Sequence, residues 1–354
     1  MTGRIVFAMQ SLDPRTEILA SFVEVVDELA RHVDEVAVVA DRGTLAGRPE
    51  NVTLGTFGAS SRRQRLARFV RGVHSAASGG ADAFVAHQIP LYAIVAAPVV
   101  RPRGVPVLLW YAHPSAHVAL RLAERVSTLV LTADARTFPL ASPKVRPIGQ
   151  AVETSLLAPT QPHGVAGRLR AVALGRYSAV KGLPTVLEAV AAARAAGVDV
   201  SLTVHGSAAP GAEDEHRASL ERLVRRLGVE EHVVLGGAVP RDQLPSLFAE
   251  NDVLVNNTRP GSADKATFEA AFSCLPVLAS NPVYDELVAG IEPPLLFGPD
   301  RAGELAERLA AVATLEPEER WRIGSALRER VERGHSVRSW VDGLLAAVSE
   351  AQRR

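Results

Sequence analysis

Over the first 150 positions, short apolar runs alternate with amphipathic stretches. The runs at residues 4–8, 35–40, 83–86, 106–111, 128–132 and 145–150 have the length and density of buried strands. Within residues 17–31, Ile18, Phe22, Val25, Val26 and Leu29 recur at helical spacing, and residues 61–75, 91–99 and 118–126 also read as helices. Residues 151–167 interrupt the series: Pro159, Pro162, Gly164 and Gly167 punctuate them, and their apolar positions have no period. A second alternation follows. It has strands at 169–174, 201–204, 233–235, 253–256 and 276–279, and helices at 182–196, 215–227, 242–249 and 265–273. Residues 301–333 and 336–354 read as helical. Strands alternating with helices imply parallel βαβ units. The expected architecture is therefore α/β, with two Rossmann-like doubly wound domains at residues 1–160 and 165–335. Helix 336–354 is expected to pack back on the first. In open sheets of this kind ligands bind beyond the carboxyl ends of the strands, so a cleft between the halves is the expected site.

Composition changes this picture little. The 354 residues suffice for two domains, and 47% are hydrophobic, ample for two cores. Formal net charge is zero and no basic tail is present, so nothing calls for nucleic acid. Cys274 is the single cysteine; it excludes an internal disulfide and suits a reducing compartment. The first residues do not read as a signal peptide. The longest apolar run, 93–100, is interrupted by Pro98 and falls short of the ~20 residues of a spanning helix. A cytoplasmic location is expected. Of 39 basic residues only Lys144, Lys181 and Lys265 are lysine, and two of these fall in the loops with candidate phosphate chemistry.

The first such loop is Leu174-Gly175-Arg176-Tyr177-Ser178-Ala179-Val180-Lys181-Gly182, between a strand and a helix. Gly175 permits a turn at the strand end. Arg176 and Lys181 are expected to converge on a diphosphate near the helix N-terminus. The plain alternative is a connecting loop with solvated charges. The second, Asn257-Thr258-Arg259-Pro260-Gly261-Ser262-Ala263-Asp264-Lys265-Ala266-Thr267-Phe268-Glu269-Ala270, also joins a strand to a helix. Gly261 and Ser262 are expected to present backbone N–H groups to an anion, with Ser262 as N-cap. Glu269, between Phe268 and Phe272, needs hydrogen-bond donors if buried, and a ribose diol would supply them.

In order along the chain, Gly-Arg-x5-Gly (175–182), Val204-His205-Gly206, Leu227-Gly228-Val229, Val233-Val234-Leu235-Gly236-Gly237 and Asp264-Lys265-x3-Glu269-Ala270-x4-Leu275-Pro276-Val277 resemble glycosyltransferase family 4. The N-terminal half resembles a bacterial branch of that family through Asp13-Pro14, Ile18-Leu19, Val33-Asp34, Trp110-Tyr111-Ala112-His113 and Ile148-Gly149-Gln150. The resemblance implies a GT-B fold, a nucleotide-sugar donor held mostly by the C-terminal half, and transfer with retention. By position it implies Arg176 and Lys181 on the donor diphosphate and Glu269 on the ribose. Val239 and Pro240 would lie near the base, His113 near the transferring sugar, and the Gln10–Arg15 loop, with Gln10 and Asp13, on the acceptor side. In one respect the sequence departs from the family, which places a glutamate eight positions before the second one. Here that position is Gly261, and Asp264 and Lys265 are the candidates to replace the lost sugar contacts.

Cleaving a glycosyl–phosphate bond builds negative charge on the leaving diphosphate. Arg176, Lys181 and a helix starting near Ser262 would stabilise that charge. The chain has no Asp-x-Asp tripeptide. Its nearest acidic cluster, Glu213-Asp214-Glu215, reads as a solvated loop, so neither a metal nor a cofactor is expected. His117 and Cys274 read as structural, and His205 as cleft-lining or as a satisfied buried histidine. Arg62, Arg63, Arg65, Arg68 and Arg71 share a helix with Leu66, Phe69 and Val70. Its plain reading is a solvated arginine face; its functional one is peripheral contact with an anionic membrane. The expected function is hexosyl transfer from a UDP- or GDP-sugar to a glycan, lipid or small-molecule hydroxyl. The alternatives are a sugar-nucleotide epimerase of the same fold and a catalytically degenerate nucleotide-sugar-binding partner.

Overall fold

The computed structural model describes residues 2–13 and 20–354. These residues form two compact units, one of residues 1–153 and 334–354, the other of residues 154–333. Pro14, Arg15, Ile18, Leu19 and the expected helical start at Glu17 lie outside the described residues.

The first unit contains β1 (Thr2–Leu12), α1 (Ala20–Ala30), β2 (Val33–Gly43), β3 (Val52–Thr56), α2 (Arg62–Ala77), β4 (Ala83–His87), α3 (Pro90–Val100), β5 (Val107–Trp110), α4 (Val118–Val126), β6 (Leu129–Thr132) and β7 (Val145–Pro147). The strands form one parallel sheet in the order β3-β2-β1-β4-β5-β6-β7. β1 pairs with β2 and β4 (Phe7 opposite Val38 and Val85), so the chain reverses its direction of sheet growth between β1 and β4. Ile5, Val6, Phe7, Ala8 and Met9 are fully buried, as an unbroken apolar run covered on both faces should be. β1 is longer than its apolar run suggests. Ser11 and Leu12 still pair with Arg42 and Gly43, so Gln10, expected in a loop, belongs to the strand. β3 was not expected at all.

The final helix, α12 (Val337–Gln352), belongs to this unit. Its Trp340 is fully buried and meets Trp110 edge-on at 5.4 Å and Phe22 at 5.7 Å. Burying such a side chain contributes on the order of 3 kcal/mol. Arg146 of β7 holds Glu350 through two hydrogen bonds, 2.9 and 2.7 Å.

The second unit contains β8 (Arg168–Leu174), α5 (Leu183–Ala195), β9 (Asp199–His205), α6 (Ala212–Leu227), β10 (Val233–Leu235), α7 (Leu244–Glu250), β11 (Val253–Asn256), α8 (Lys265–Phe272), β12 (Val277–Ala279), α9 (Asp285–Val288), α10 (Ala302–Thr314) and α11 (Pro317–Gly334). Its strands are again parallel, in the order β10-β9-β8-β11-β12. The chain winds outward from β8 through β9 to β10, then returns to place β11 on the other side of β8. The expected helix at 301–333 is two helices, parted at Leu315-Glu316 before Pro317, where proline can only begin a helix. Glu213, Asp214 and Glu215 lie in the first turn of α6, not in a loop, where their charge suits the positive end of the helix dipole.

Candidate functional site

The reversal of winding between β8 and β11 opens a crevice at their carboxyl ends, the usual binding place in such sheets. The loops leaving the strands there are tied to one another. The N–H of Gly175 donates to the His205 carbonyl (3.0 Å), that of Tyr177 to Ser207 (2.9 Å), and that of Gly206 to Gly237 (3.1 Å). Tyr177 is fully buried, and its hydroxyl reaches the carbonyls of Gly236 (2.8 Å) and Val204 (3.2 Å). It thereby anchors the loop after β8 to the ends of β9 and β10. A Cβ on Gly206 would stand 1.8 Å from the Gly175 carbonyl oxygen, so only glycine permits this approach. Across the crevice, Asn257 donates to the Gly182 carbonyl (3.0 Å) and Arg259 N–H to that of Val180 (3.1 Å).

This frame brings Lys181 to Asp264. Lys181 ends a single 3-10 turn, Ala179–Lys181, and its ammonium pairs with the Asp264 carboxylate. The same carboxylate oxygen accepts from Asn256 Nδ2 (2.9 Å) and Thr258 Oγ1 (3.3 Å). Asp264 is the N-cap residue of α8, the position expected for Ser262. Its side chain makes no capping bond, and its N–H donates to the Tyr284 hydroxyl (2.8 Å). Burial pushes the Tyr284 phenol far above its ordinary range, so it stays neutral and serves as a fixed dipole. Ser262 instead offers its carbonyl to Asn281 Nδ2 (2.7 Å). Gly261 adopts φ 99°, a conformation that disfavours a glutamate there on backbone grounds alone. Lys265 opens α8 and is partly buried.

One turn into α8, Glu269 is 5% exposed and pairs with Arg241 Nη2 at 3.3 Å. The donor that satisfies this carboxylate is thus a protein side chain. Arg241 directly follows Val239 and Pro240, with Val239 partly buried and Pro240 exposed, so the ion pair fixes that loop against α8.

Arg176 and Lys181, both on the loop after β8, take different carboxylate partners. The Arg176 side chain is 67% exposed and pairs with Glu213 at 3.1 Å, while Lys181 is held by Asp264. Glu213 also accepts from the Ala209 N–H (2.7 Å), which keeps Arg176 near the start of α6. His205 Nδ1 approaches the Gly237 carbonyl at 3.3 Å and lines the same strand ends.

The remaining candidates belong to the first unit. His113 is exposed beyond β5, and its Nδ1 accepts from the Ser115 N–H (3.1 Å). Gln10 is exposed near the end of β1, and Asp13 is partly buried just beyond it. His117 caps α4, accepting from the Leu120 N–H (3.1 Å). On α2, Arg65 grips Asp41 and Arg68 donates to the Gly58 carbonyl, while Phe69, Val73 and Ala77 are buried. Cys274 is buried and packed, and burial pushes its thiol up.

Three contributors to the crevice were not singled out by the sequence: Tyr177, Asn256 and Arg241. Tyr177 and Arg241 act through partners distant in sequence, and Asn256 through Asp264, eight residues on. Only the polar Asn256 at the end of an otherwise apolar strand hinted at a role.

Residues 168–314 match the protein family described as Glycosyl transferases group 1. A 2-deoxystreptamine glucosyltransferase of Streptomyces kanamyceticus is 28% identical over 140 residues, covering 39% of this chain. The matched stretch spans 35% of that relative's length. Among solved structures, Anabaena HepE in complex with UDP and glucose superposes with a TM-score of 0.75 at 19% identity, over 98% of this chain and 100% of that one. A glycosyltransferase from Rickettsia africae gives 0.77 at 12% identity, over 100% and 99%. Sucrose-phosphate synthase from Thermosynechococcus elongatus gives 0.71 at 17%, over 98% of both chains. The chain has the GT-B glycosyltransferase fold, and the stretch that matches the group 1 family lies in its second unit. Glycosyltransferase is the enzyme class these likenesses support.

Proposed function

We propose that this chain is a retaining hexosyltransferase of glycosyltransferase family 4. It takes its sugar from a nucleotide-sugar, UDP-sugar before GDP-sugar, and delivers it to a hydroxyl of a glycan, lipid or small metabolite without a metal ion. The observation that supports this reading is the Lys181–Asp264 pair, set where β8 and β11 part, with α8 beginning directly behind it. Lys181 and the positive end of α8 are placed to receive a diphosphate. Asp264, with Asn256 and Thr258, keeps the ammonium aimed. As the bond from the sugar to the diphosphate breaks, negative charge grows on the leaving oxygen, and preorganised cations stabilise it at no cost in reorganisation. Arg176 adds longer-range attraction from the rim. Glu269, steadied by Arg241, accepts from the ribose hydroxyls, and Val239 and Pro240 border the base. His113, Asp264 and Lys265 contact the sugar, and Gln10 and Asp13 the acceptor. Retention follows if the acceptor oxygen attacks on the face the diphosphate leaves. Its proton then passes to the departing phosphate oxygen. UDP is preferred because HepE, of the same fold, is a UDP complex.

The test is release of nucleoside diphosphate from UDP-glucose or GDP-mannose with a panel of hydroxyl acceptors. Release should require acceptor, withstand EDTA and give a product whose anomeric proton coupling matches that of the donor. Net release without any acceptor would contradict transfer and mean hydrolysis, and conversion of the donor to an epimeric nucleotide-sugar would favour the epimerase.

A further inference from the structure

One sheet edge in this fold is left unguarded. Among the described residues, β3, β7, β10 and β12 lie at sheet edges. The last three are three residues long each, and β7 also carries Arg146 and Pro147. Shortness, charge and proline are the usual guards of an edge against another chain. β3, Val52-Thr53-Leu54-Gly55-Thr56, has five residues, no charge and no proline. Its register fixes which main-chain groups face outward. Val36 N–H donates to the Asn51 carbonyl (3.0 Å) and Phe57 N–H to the Ala40 carbonyl (2.9 Å), with Val38 opposite Leu54. β2 therefore takes the main-chain groups of Thr53 and Gly55, and those of Leu54 and Thr56 face the open edge.

A groove of about 710 Å³ runs between β3 and α2. A Cβ on Gly72 of α2 would stand 3.2 Å from Val39 of β2, so the helix sits close over β2, while Thr53, Gly55 and Thr56 of β3 stay exposed. Arg68, Arg71, Gly72 and Ser75, at i, i+3, i+4 and i+7, turn one face of α2 to the groove. That face is cationic. α2 holds five arginines and no carboxylate, and Arg62, Arg63 and Arg65 sit in its first turn, where the helix dipole disfavours cations. Arg68 donates to the Gly58 carbonyl, and Arg71 makes no hydrogen bond or ion pair among the described residues. Glu35, the carboxylate that lines the groove, is already held by Arg4 Nε (2.8 Å) and Thr53 Oγ1 (3.2 Å).

We propose that β3 and this groove receive an extended acidic segment of a partner protein, which adds a strand to the sheet. Its main chain pairs with the outward groups of Leu54 and Thr56, and every second side chain, a carboxylate, reaches Arg68 and Arg71. Charge excludes a second copy of this chain as the occupant. Continuing the sheet through two β3 strands about a two-fold axis would lay α2 beside α2, arginines against arginines. The contact is independent of the transferase reading.

The test is fluorescence anisotropy of the full chain with a labelled Glu-Val-Glu-Val-Glu-Val peptide and with its Lys-for-Glu counterpart. Amide hydrogen exchange is read on the same samples by mass spectrometry. The acidic peptide should bind and the lysine peptide should not, and the amides of residues 52–56 should exchange more slowly in the complex. Thr56→Pro removes an outward N–H without touching a bond to β2, and should weaken binding about threefold or more. Arg68→Glu with Arg71→Glu should weaken it about tenfold or more. All three side chains are exposed, so both variants should keep a near-native melting temperature. Absence of acidic-peptide binding by the wild type, equal binding of the lysine peptide, or binding that either variant leaves intact would overturn the proposal. A dimer in sedimentation that Thr56→Pro abolishes, without peptide binding, would assign the edge to a second copy and contradict it. Sedimentation with phosphatidylglycerol vesicles that the charge reversal abolishes, again without peptide binding, would assign the arginines to a membrane and contradict it too.

Discussion

The end of the Lys181 side chain fills the space above Gly175: a Cβ at position 175 would stand 2.6 Å from Lys181 Cε and 2.9 Å from its Nζ. Gly175 also has φ 136°, which L side chains rarely adopt. Gly175→Ala should therefore fold at a cost of about 1–3 kcal/mol while pushing Lys181 off its place. UDP affinity, measured by calorimetry, should fall by about tenfold or more, as in Lys181→Ala. Unchanged affinity in Gly175→Ala would show that the position of Lys181 does not matter for the nucleotide.

Arg241 and Glu269 can be separated by a double-mutant cycle. Arg241→Ala leaves the carboxylate of Glu269 buried without the guanidinium and should cost about 1–3 kcal/mol in urea unfolding. Adding Glu269→Gln should return part of that stability but none of the UDP affinity, because the neutral amide is easier to bury yet accepts a ribose hydroxyl less strongly. Recovery of both would make the pair purely structural.

A second buried cluster should behave in the opposite way. Asp252, its side chain 1% exposed, accepts from the Arg170 N–H (2.7 Å) and guanidinium (3.0 and 2.9 Å) and faces Arg320 at 3.8 Å. Burial lowers the Arg320 pKa, against the pull of Asp252. Asp252→Ala removes the buried carboxylate facing that guanidinium, which keeps only its bonds to the carbonyls of Val312, Ala313 and Val165, and should cost about 3–5 kcal/mol. UDP affinity, measured well below the lowered melting temperature, should stay unchanged.

Burial pushes the His335 imidazole down to about 4, against the pull of Asp134. The unfolded chain then binds the proton more readily than the folded one. This contribution is constant above pH 6.5 and is lost as pH falls from about 6.5 to 4, by at most about 1.4 kcal/mol per pH unit. Between pH 7.5 and 4.5 the wild type should lose about 2 kcal/mol more in urea unfolding than His335→Asn. Equal losses would place the imidazole in water.

Most of the fold was legible because both sheets are parallel and buried, so their strands read as dense apolar runs. β3 escaped because its burial is confined to Val52; as an edge strand it shows water most of its side chains. The end of β1 was misread because Gln10 and Ser11 are polar, although ladder pairing with β2 continues through them. In the candidate site, motif spacing placed Lys181 and Glu269 on the correct loops and helix. It did not reveal what each one touches. Asp264 lies 83 positions from Lys181, and Arg241 lies 28 from Glu269. The Glu213 partner of Arg176, from the following βα unit, was hidden for the same reason. Long-range partners are set by sheet order, which local pattern does not specify.

The most direct measurement is thermal stabilisation of the purified chain by UDP, GDP, ADP and TDP and their common sugar conjugates, alongside Arg176→Ala, Lys181→Ala and Glu269→Ala. A nucleotide at 100 times its Kd should stabilise the chain by about 2.7 kcal/mol. The account predicts a shift with one nucleotide family, UDP foremost, that is lost in Lys181→Ala and Glu269→Ala and only weakened in Arg176→Ala, whose side chain stands at the exposed rim. No shift with any nucleotide, or a shift that survives both Lys181→Ala and Glu269→Ala, would contradict the donor site at the carboxyl ends of β8 and β11.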